Sequence, residues 1–219
     1  MKLIYIFLSI IVIFLYVQYK FVNKVNNDLN VLQIENPTKD IFENVLLSKS
    51  LSVFTNVSKN FYDIQKYSLK DIKTMDDNSK KNFLNNIKNH FSYYDTPFLY
   101  KNNIDIFVES SGTSYNIKKQ NTDRFLLCQL KGTIKLICFT PNQAKYLYLN
   151  KNKDSTIDFW KSDLLNYPLL SDTKYLEISL YPGQMVYIPH GWYYGYIVDE
   201  DSVSIISKSN SIFSKLLQY

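Results

Sequence analysis

Arginine is almost absent from this chain: Arg124 stands alone, and every other basic residue is lysine. Surfaces that read nucleic acid concentrate Lys and Arg on one face and favour arginine's planar fork for bidentate contacts. Here the net charge is a modest +5 and the lysines are scattered among acids, so no nucleic-acid partner is expected. Cysteine is nearly as scarce. Cys128 and Cys138 are too few for a disulfide scaffold. Both lie in apolar runs, and a hairpin turning at Lys131-Gly132 would not set them opposite each other. Buried free thiols are therefore expected, which favours a reducing compartment. Histidine is confined to His90 and His190, which leaves little room for a metal centre built from imidazoles. At 219 residues the chain is also too short for two ordinary domains.

What it has in quantity is apolar and aromatic. Hydrophobic residues make up 46% and aromatic ones 16%, with 19 Tyr and 14 Phe, enough for a packed core and against general disorder. The longest apolar run, Leu3 to Tyr19, carries no charge and is flanked by Lys2 and Lys20. That length sits at the short end of the roughly 17–25 residues a spanning helix needs. Tyr16 and Tyr19 fall where an interfacial aromatic belt would lie. No small-residue cleavage site follows, so an uncleaved anchor over 1–22 is expected, with the lipid bilayer as partner of residues 3–19. Lys20 and Lys24 after the run, against Lys2 before it, favour a cytosolic body for this single-pass arrangement. The tripeptide Asn56-Val57-Ser58, a glycosylation sequon, points the other way.

Residues 23–36 read as a polar tether. Pro37-Thr38 opens a helix carrying Ile41, Phe42, Val45 and Leu46 at helical spacing, and Ser68-Leu69-Lys70-Asp71 resembles a capping box. Between Asp77 and Tyr94, Phe83, Leu84, Ile87, Phe91 and Tyr94 line one helical face, with His90 at its edge as a structural residue. Leu51–Phe54 reads as a short strand. After residue 100 the period changes to that of strands: 104–108, 125–130, 134–139, 176–181, 185–188 and 203–206, punctuated by Gly, Pro, Asn and Asp. Strands this dense without long intervening helices predict an antiparallel sandwich or barrel.

Three segments in order carry a resemblance. Leu126-Leu127-Cys128-Gln129-Leu130-Lys131-Gly132 leads to Phe139-Thr140-Pro141 and Gln143-Ala144-Lys145-Tyr146-Leu147-Tyr148. Ser155-Thr156-Ile157-Asp158-Phe159-Trp160 leads to Tyr167-Pro168-Leu169. Leu180-Tyr181-Pro182-Gly183-Gln184-Met185-Val186-Tyr187-Ile188-Pro189-His190-Gly191-Trp192-Tyr193 completes the set. Together they resemble the JmjC-type cupin-like domain of the Fe(II)/2-oxoglutarate oxygenases. The resemblance implies a mainly β fold with flanking helices, a double-stranded β-helix or jelly roll. It divides the body into a domain over 37–210, with a helical flank at 37–100, the jelly roll at 104–208 and a tail at 211–219.

In that family two imidazoles and a carboxylate hold iron on one face. Alignment on the Leu126 strand puts Lys119 at the first His and Asn121 at the Asp; alignment on Pro189 puts Tyr194 at the second His. Asn116, Phe125 and Ile134 fall at cosubstrate-pocket positions. None of the three metal positions is a sensible iron ligand. The resemblance therefore implies a catalytically degenerate, membrane-anchored domain that needs no cofactor and acts by binding an unknown protein partner or as a structural component. The alternative is an oxygenase that uses Fe(II) and 2-oxoglutarate with relocated ligands, Asp123 and His190 being the candidates. The AT-rich codon bias behind the Asn, Ile, Lys and Tyr content, with the small anchored architecture, would suit a large DNA virus.

Overall fold

A computed structural model describes residues 2–57, 69–96, 98–161 and 166–217. The capping box at Ser68 and the sequon ending at Ser58 lie outside these residues. The first element is α1 (Lys2–Val22), then β1 (Leu32–Glu35), α2 (Lys39–Ser48) and β2 (Ser52–Thr55). Two more helices follow, α3 (Leu69–Lys73) and α4 (Asp77–Phe91). The strands β3 (Leu99–Glu109), β4 (Ser114–Lys119), β5 (Arg124–Lys131) and β6 (Ile134–Phe139) come next. After a stretch of 3₁₀ turns come β7 (Leu176–Leu180), β8 (Met185–Ile188), β9 (Tyr193–Val198), β10 (Ser202–Ser211) and α5 (Ile212–Leu217).

Among the described residues ten strands form two sheets, ordered β1-β2-β8-β5-β10-β3 and β4-β9-β6-β7. All pairings are antiparallel except β1 with β2. This is the expected mainly β, cupin-like jelly roll with helices on one side. Its interior is packed with Leu127, Leu136, Val186, Ile188, Trp192 and Ile206. The outer face of the first sheet carries Leu126, Cys128, Leu130, Tyr187 and Ile205, covered by Phe42 and Leu46 of α2 and by Phe83, Ile87 and Phe91 of α4. A strand buried on both faces favours apolar residues at successive positions, which is why 125–130 is apolar rather than alternating, except at Gln129, whose amide bonds Lys131 O, Gly132 O and Ser204 Oγ.

The helices are set by their ends. Thr38 accepts a hydrogen bond from Ile41 N at 3.4 Å at the start of α2, and Asp76 accepts from Asn78 N and Ser79 N at the start of α4. In α4 the four-residue spacing of Phe83, Ile87 and Phe91 makes one apolar stripe.

Two sequence expectations need correction. Lys131-Gly132 is not a hairpin turn, because β5 pairs with β8 and β10 while β6 pairs with β7 and β9. The turn carries the chain from one sheet to the other, with Cys128 on the outer face and Cys138 in the interior. The span read as a polar tether contributes β1, which pairs in parallel with β2 from Leu32↔Ser52 to Glu35↔Thr55. The tether is also held by side chains. Trp192 Nε1 donates to Asn26 O at 2.9 Å, and Asn26 Nδ2 donates to Ser50 Oγ at 3.0 Å.

Candidate functional site

The end of the barrel where the resemblance places iron is built by the exit of β4 and the entry of β9. Pro189 stops β8, and Gly191 takes φ +86° to turn the chain. Backbone bonds lock the two segments together, Gly191 N to Gln120 O at 2.8 Å and Gln120 N to Trp192 O at 2.7 Å. The register then decides which side chains meet. Lys118 pairs with Tyr194 and Lys119 with Tyr193.

Tyr194 points into the interior and packs on Phe125, ring centroids 4.7 Å apart. The Lys118 ammonium lies 5.3 Å from the centre of the Tyr194 ring. Lys119 instead shares the outer face with Tyr193, which packs with Ile117, Phe139 and Leu147. So the lysine beside Tyr194 is Lys118, and next to Asn121, which is exposed, the buried residue is Gln120. Gln120 is saturated: its Nε2 donates to Thr122 O and Ile188 O, and its Oε1 accepts from Thr122 N and Oγ1. It holds the turn.

The remaining candidates are dispersed. Asn116 is exposed. Ile134 is fully buried between Leu180 and Val198, and the adjacent Lys135 pairs with Glu177 at 3.5 Å. Asp123 accepts from Ser211 N at 2.7 Å, which ties it to the end of β10. Half-buried His190 has an Nδ1 with no hydrogen-bond partner among the described residues. The structure does not bring these two into one ligand set, and no group of three His, Cys, Asp or Glu that could hold a metal occurs among the described residues.

Electrostatics follow burial. Burial lowers the Lys118 pKa, with Lys208 adding to the effect and Asp154 and Glu109 opposing it. Burial pushes the Tyr194 hydroxyl well above the ordinary phenol range, so it stays protonated. A lysine ammonium, an amide and a neutral phenol do not make a two-imidazole, one-carboxylate set, and the residues at these positions do not fit iron.

Burial and nearby Lys49 depress the His190 pKa below 6.5, with the Thr122 backbone and Asp123 pulling the other way. The contribution of His190 to stability is then complete above its unfolded value and is lost as pH falls through it, because the unfolded chain takes up the proton first. Urea melts at about pH 7 and about pH 5.5 should show a smaller acid-induced loss for His190→Gln than for the wild type. Equal losses would refute that account.

Sequence reasoning missed Glu109. It is buried at the end of β3, accepts from the Tyr196 hydroxyl at 3.2 Å, and has no hydrogen-bond partner for Oε2 among the described residues. Tyr115 stacks on Tyr196 at 4.5 Å, and its hydroxyl is pushed up to about 12 by its bond to Glu109 and by burial. Arg124 was also missed, although its being the one arginine was a signal. It is buried and bonds Glu43 through both terminal nitrogens.

The profile of the family described as cupin-like domain matches residues 23–207. Among curated proteins, human tRNA wybutosine-synthesizing protein 5 is 35% identical over 80 residues, 36% of this chain and 25% of that protein. The mouse protein of that name is 32% identical over 83 residues (38% and 26%), and the chicken one 30% over 98 residues (45% and 30%). The matched stretch thus spans about a quarter of the first relatives' length. These findings overturn the expectation that no cofactor is needed. The family is matched over most of the chain, and the relatives carry the name of synthesizing proteins, which leaves no ground for expecting the absence of a cofactor.

Proposed function

The chain belongs to the cupin-like domain family, and from that premise we propose that it is a membrane-anchored member whose domain acts by binding, through an interior rebuilt around Lys118 and Tyr194. One observation carries this. The Lys118 ammonium rests on the Tyr194 ring, which rests on Phe125, so a cation and two aromatic rings fill the space between the family's ligand positions. Such cation–ring contacts are favourable by about 0.5–2 kcal/mol when desolvated. A dication beside the ammonium would be repelled. The proposal concerns where iron is held: whatever cofactor chemistry this chain keeps must use side chains other than Lys119, Asn121 and Tyr194. The test is to load the full chain anaerobically with Fe(II) and 2-oxoglutarate and measure bound metal before and after Tyr194→Phe. Unchanged metal content is expected; loss of metal with the hydroxyl would overturn the reading.

Anchoring rests on α1, whose stretch Ile4–Val22 is long and apolar enough to cross a membrane and is exposed as far as Phe21 except at half-buried Gln18. Carbonate extraction should leave the full chain in the membrane pellet; release into the supernatant would refute the anchor.

The relatives' name favours a second reading, a divergent oxygenase with relocated ligands that acts on RNA. Succinate release from 2-oxoglutarate, stimulated by tRNA, would establish it over the binding reading.

A further inference from the structure

Between the end of α1 and the domain lies a cavity of about 350 Å³, on the far side of the first sheet from the barrel interior. Phe21 and Val22 of α1 and Leu46 and Leu47 of α2 form two of its walls, and Phe98 and Phe213 close it. Its size is at the lower end of the roughly 300–1,000 Å³ of small-molecule sites, room for one chain rather than two.

The charged groups on its wall are unevenly satisfied. Glu43 and Arg124 neutralise each other, and Asp123 is occupied by Ser211 N. Lys49 is different. It caps α2 in a left-handed conformation, φ 58°, and is 95% buried (5% exposed). Its ammonium has no hydrogen-bond or ion-pair partner among the described residues, only the face of Phe21 at 4.8 Å. Holding the ammonium of a largely buried lysine without a partner is costly, and the cap itself uses only the backbone N–H of Lys49, which donates to Leu46 O. Lys24 adds further positive potential nearby. Asp123, on the same wall, attracts the ammonium without forming an ion pair with it, so Lys49 is left as the wall's cation without a hydrogen-bond or ion-pair partner among the described residues.

The cavity opens beside a continuous apolar surface. Tyr16, Val17 and Phe21 are exposed along α1, Phe98 and Leu99 at the start of β3, and Leu216 on α5. Phe213 joins them, its ring 5.5 Å from Phe14 and 5.4 Å from Phe98. An occupant can enter there with its apolar part first.

We propose that this cavity is a binding site for a single-chain anionic amphiphile, the acyl chain lying among Phe21, Leu46, Phe98 and Phe213 and the anionic head pairing with Lys49. A carboxylate or a phosphate monoester meets the same requirement. The inference shares with the anchoring reading only the position of α1.

The test uses the full chain in phosphatidylcholine nanodiscs, or in buffer if carbonate extraction shows that α1 does not anchor, so the two readings fail separately. Three photoreactive probes of equal chain length are compared: a fatty acid, a lysophosphatidate and an uncharged monoacylglycerol. Labelling by one or both anions should map to the residues around the cavity, at least tenfold above the neutral probe. The stronger anion identifies the source as free fatty acid or lysophospholipid. Lys49→Gln should lower the labelling at least tenfold. Leu47→Trp, which fills the cavity and leaves the charge, should abolish it in a protein whose melting is unchanged. Labelling that ignores head charge, or that survives both substitutions, would overturn the proposal.

Discussion

Replacing Arg124 with alanine should destabilise the domain by about 3 kcal/mol, the lower end of the cost of breaking a buried ion pair. Arg124 begins β5, and its guanidinium bonds Glu43 at 3.0 and 2.5 Å from α2. It also donates to the carbonyls of Tyr94 and Asp95, just past α4, at 2.9 and 2.8 Å. One side chain thus fastens α2 and the segment that follows α4 to the sheet. Its removal strands the Glu43 carboxylate and two carbonyls. Glu43 keeps 26% exposure, and this water access holds the cost at the lower end. Arg124→Lys should not rescue, because an ammonium cannot reproduce the fork. The measurement is the urea midpoint at unchanged slope. A loss below about 1 kcal/mol, the scale of a surface pair, would show that the cluster is not structural.

Gly132→Ala should cost a comparable amount, about 3 kcal/mol from backbone strain and overpacking together. Gly132 has φ +65°, and a Cβ there would lie 2.3 Å from the carbonyl oxygen of Asp201. That oxygen belongs to the β9–β10 turn and cannot rotate aside as a side chain would. Gly112 is the control, with φ +83° and nothing within 4 Å of an added Cβ. Gly112→Ala should show the conformational penalty alone, about 1 kcal/mol. Equal effects at the two glycines would mean that the corner between the sheets yields.

The strands that the sequence made legible are those in the middle of the sheets. β5 and β8 are buried on both faces; β8 is spelled as an unbroken apolar run, and β5 as one interrupted only by Gln129 between its charged ends. β4 is a sheet edge made of Ser-Tyr-Asn-Ile-Lys-Lys, with only Ile117 fully buried, so it carries no such signal. β9 was hidden by Gly195, which reads as a turn residue. It is there because a Cβ would meet the Tyr115 carbonyl oxygen at 2.9 Å. β1 was missed because backbone pairing, rather than burial, holds it.

At the site the sequence pointed to Tyr194, which lies in the interior beside Phe125, and to Lys119, whose neighbour Lys118 is the lysine that faces Tyr194. The β4–β9 register shifts between Tyr115 and Lys118, and an irregularity of that kind changes which face the following residues occupy. Counting along a sequence assumes strict alternation, and one extra residue defeats it. Glu109 and Arg124 were illegible as a site because each depends on partners from elements far apart in the chain.

The placement of the two cysteines makes the molecule report on its own opening. Both thiols are fully buried and pushed up to about 12, so alkylation has to wait for exposure. Cys128 lies under the helical flank and Cys138 between the sheets. A thiol probe meets the first when the helices peel away and the second only when the sheets part. The order in which one and then two labels appear by mass therefore separates partial unfolding from whole-domain unfolding, without any introduced reporter.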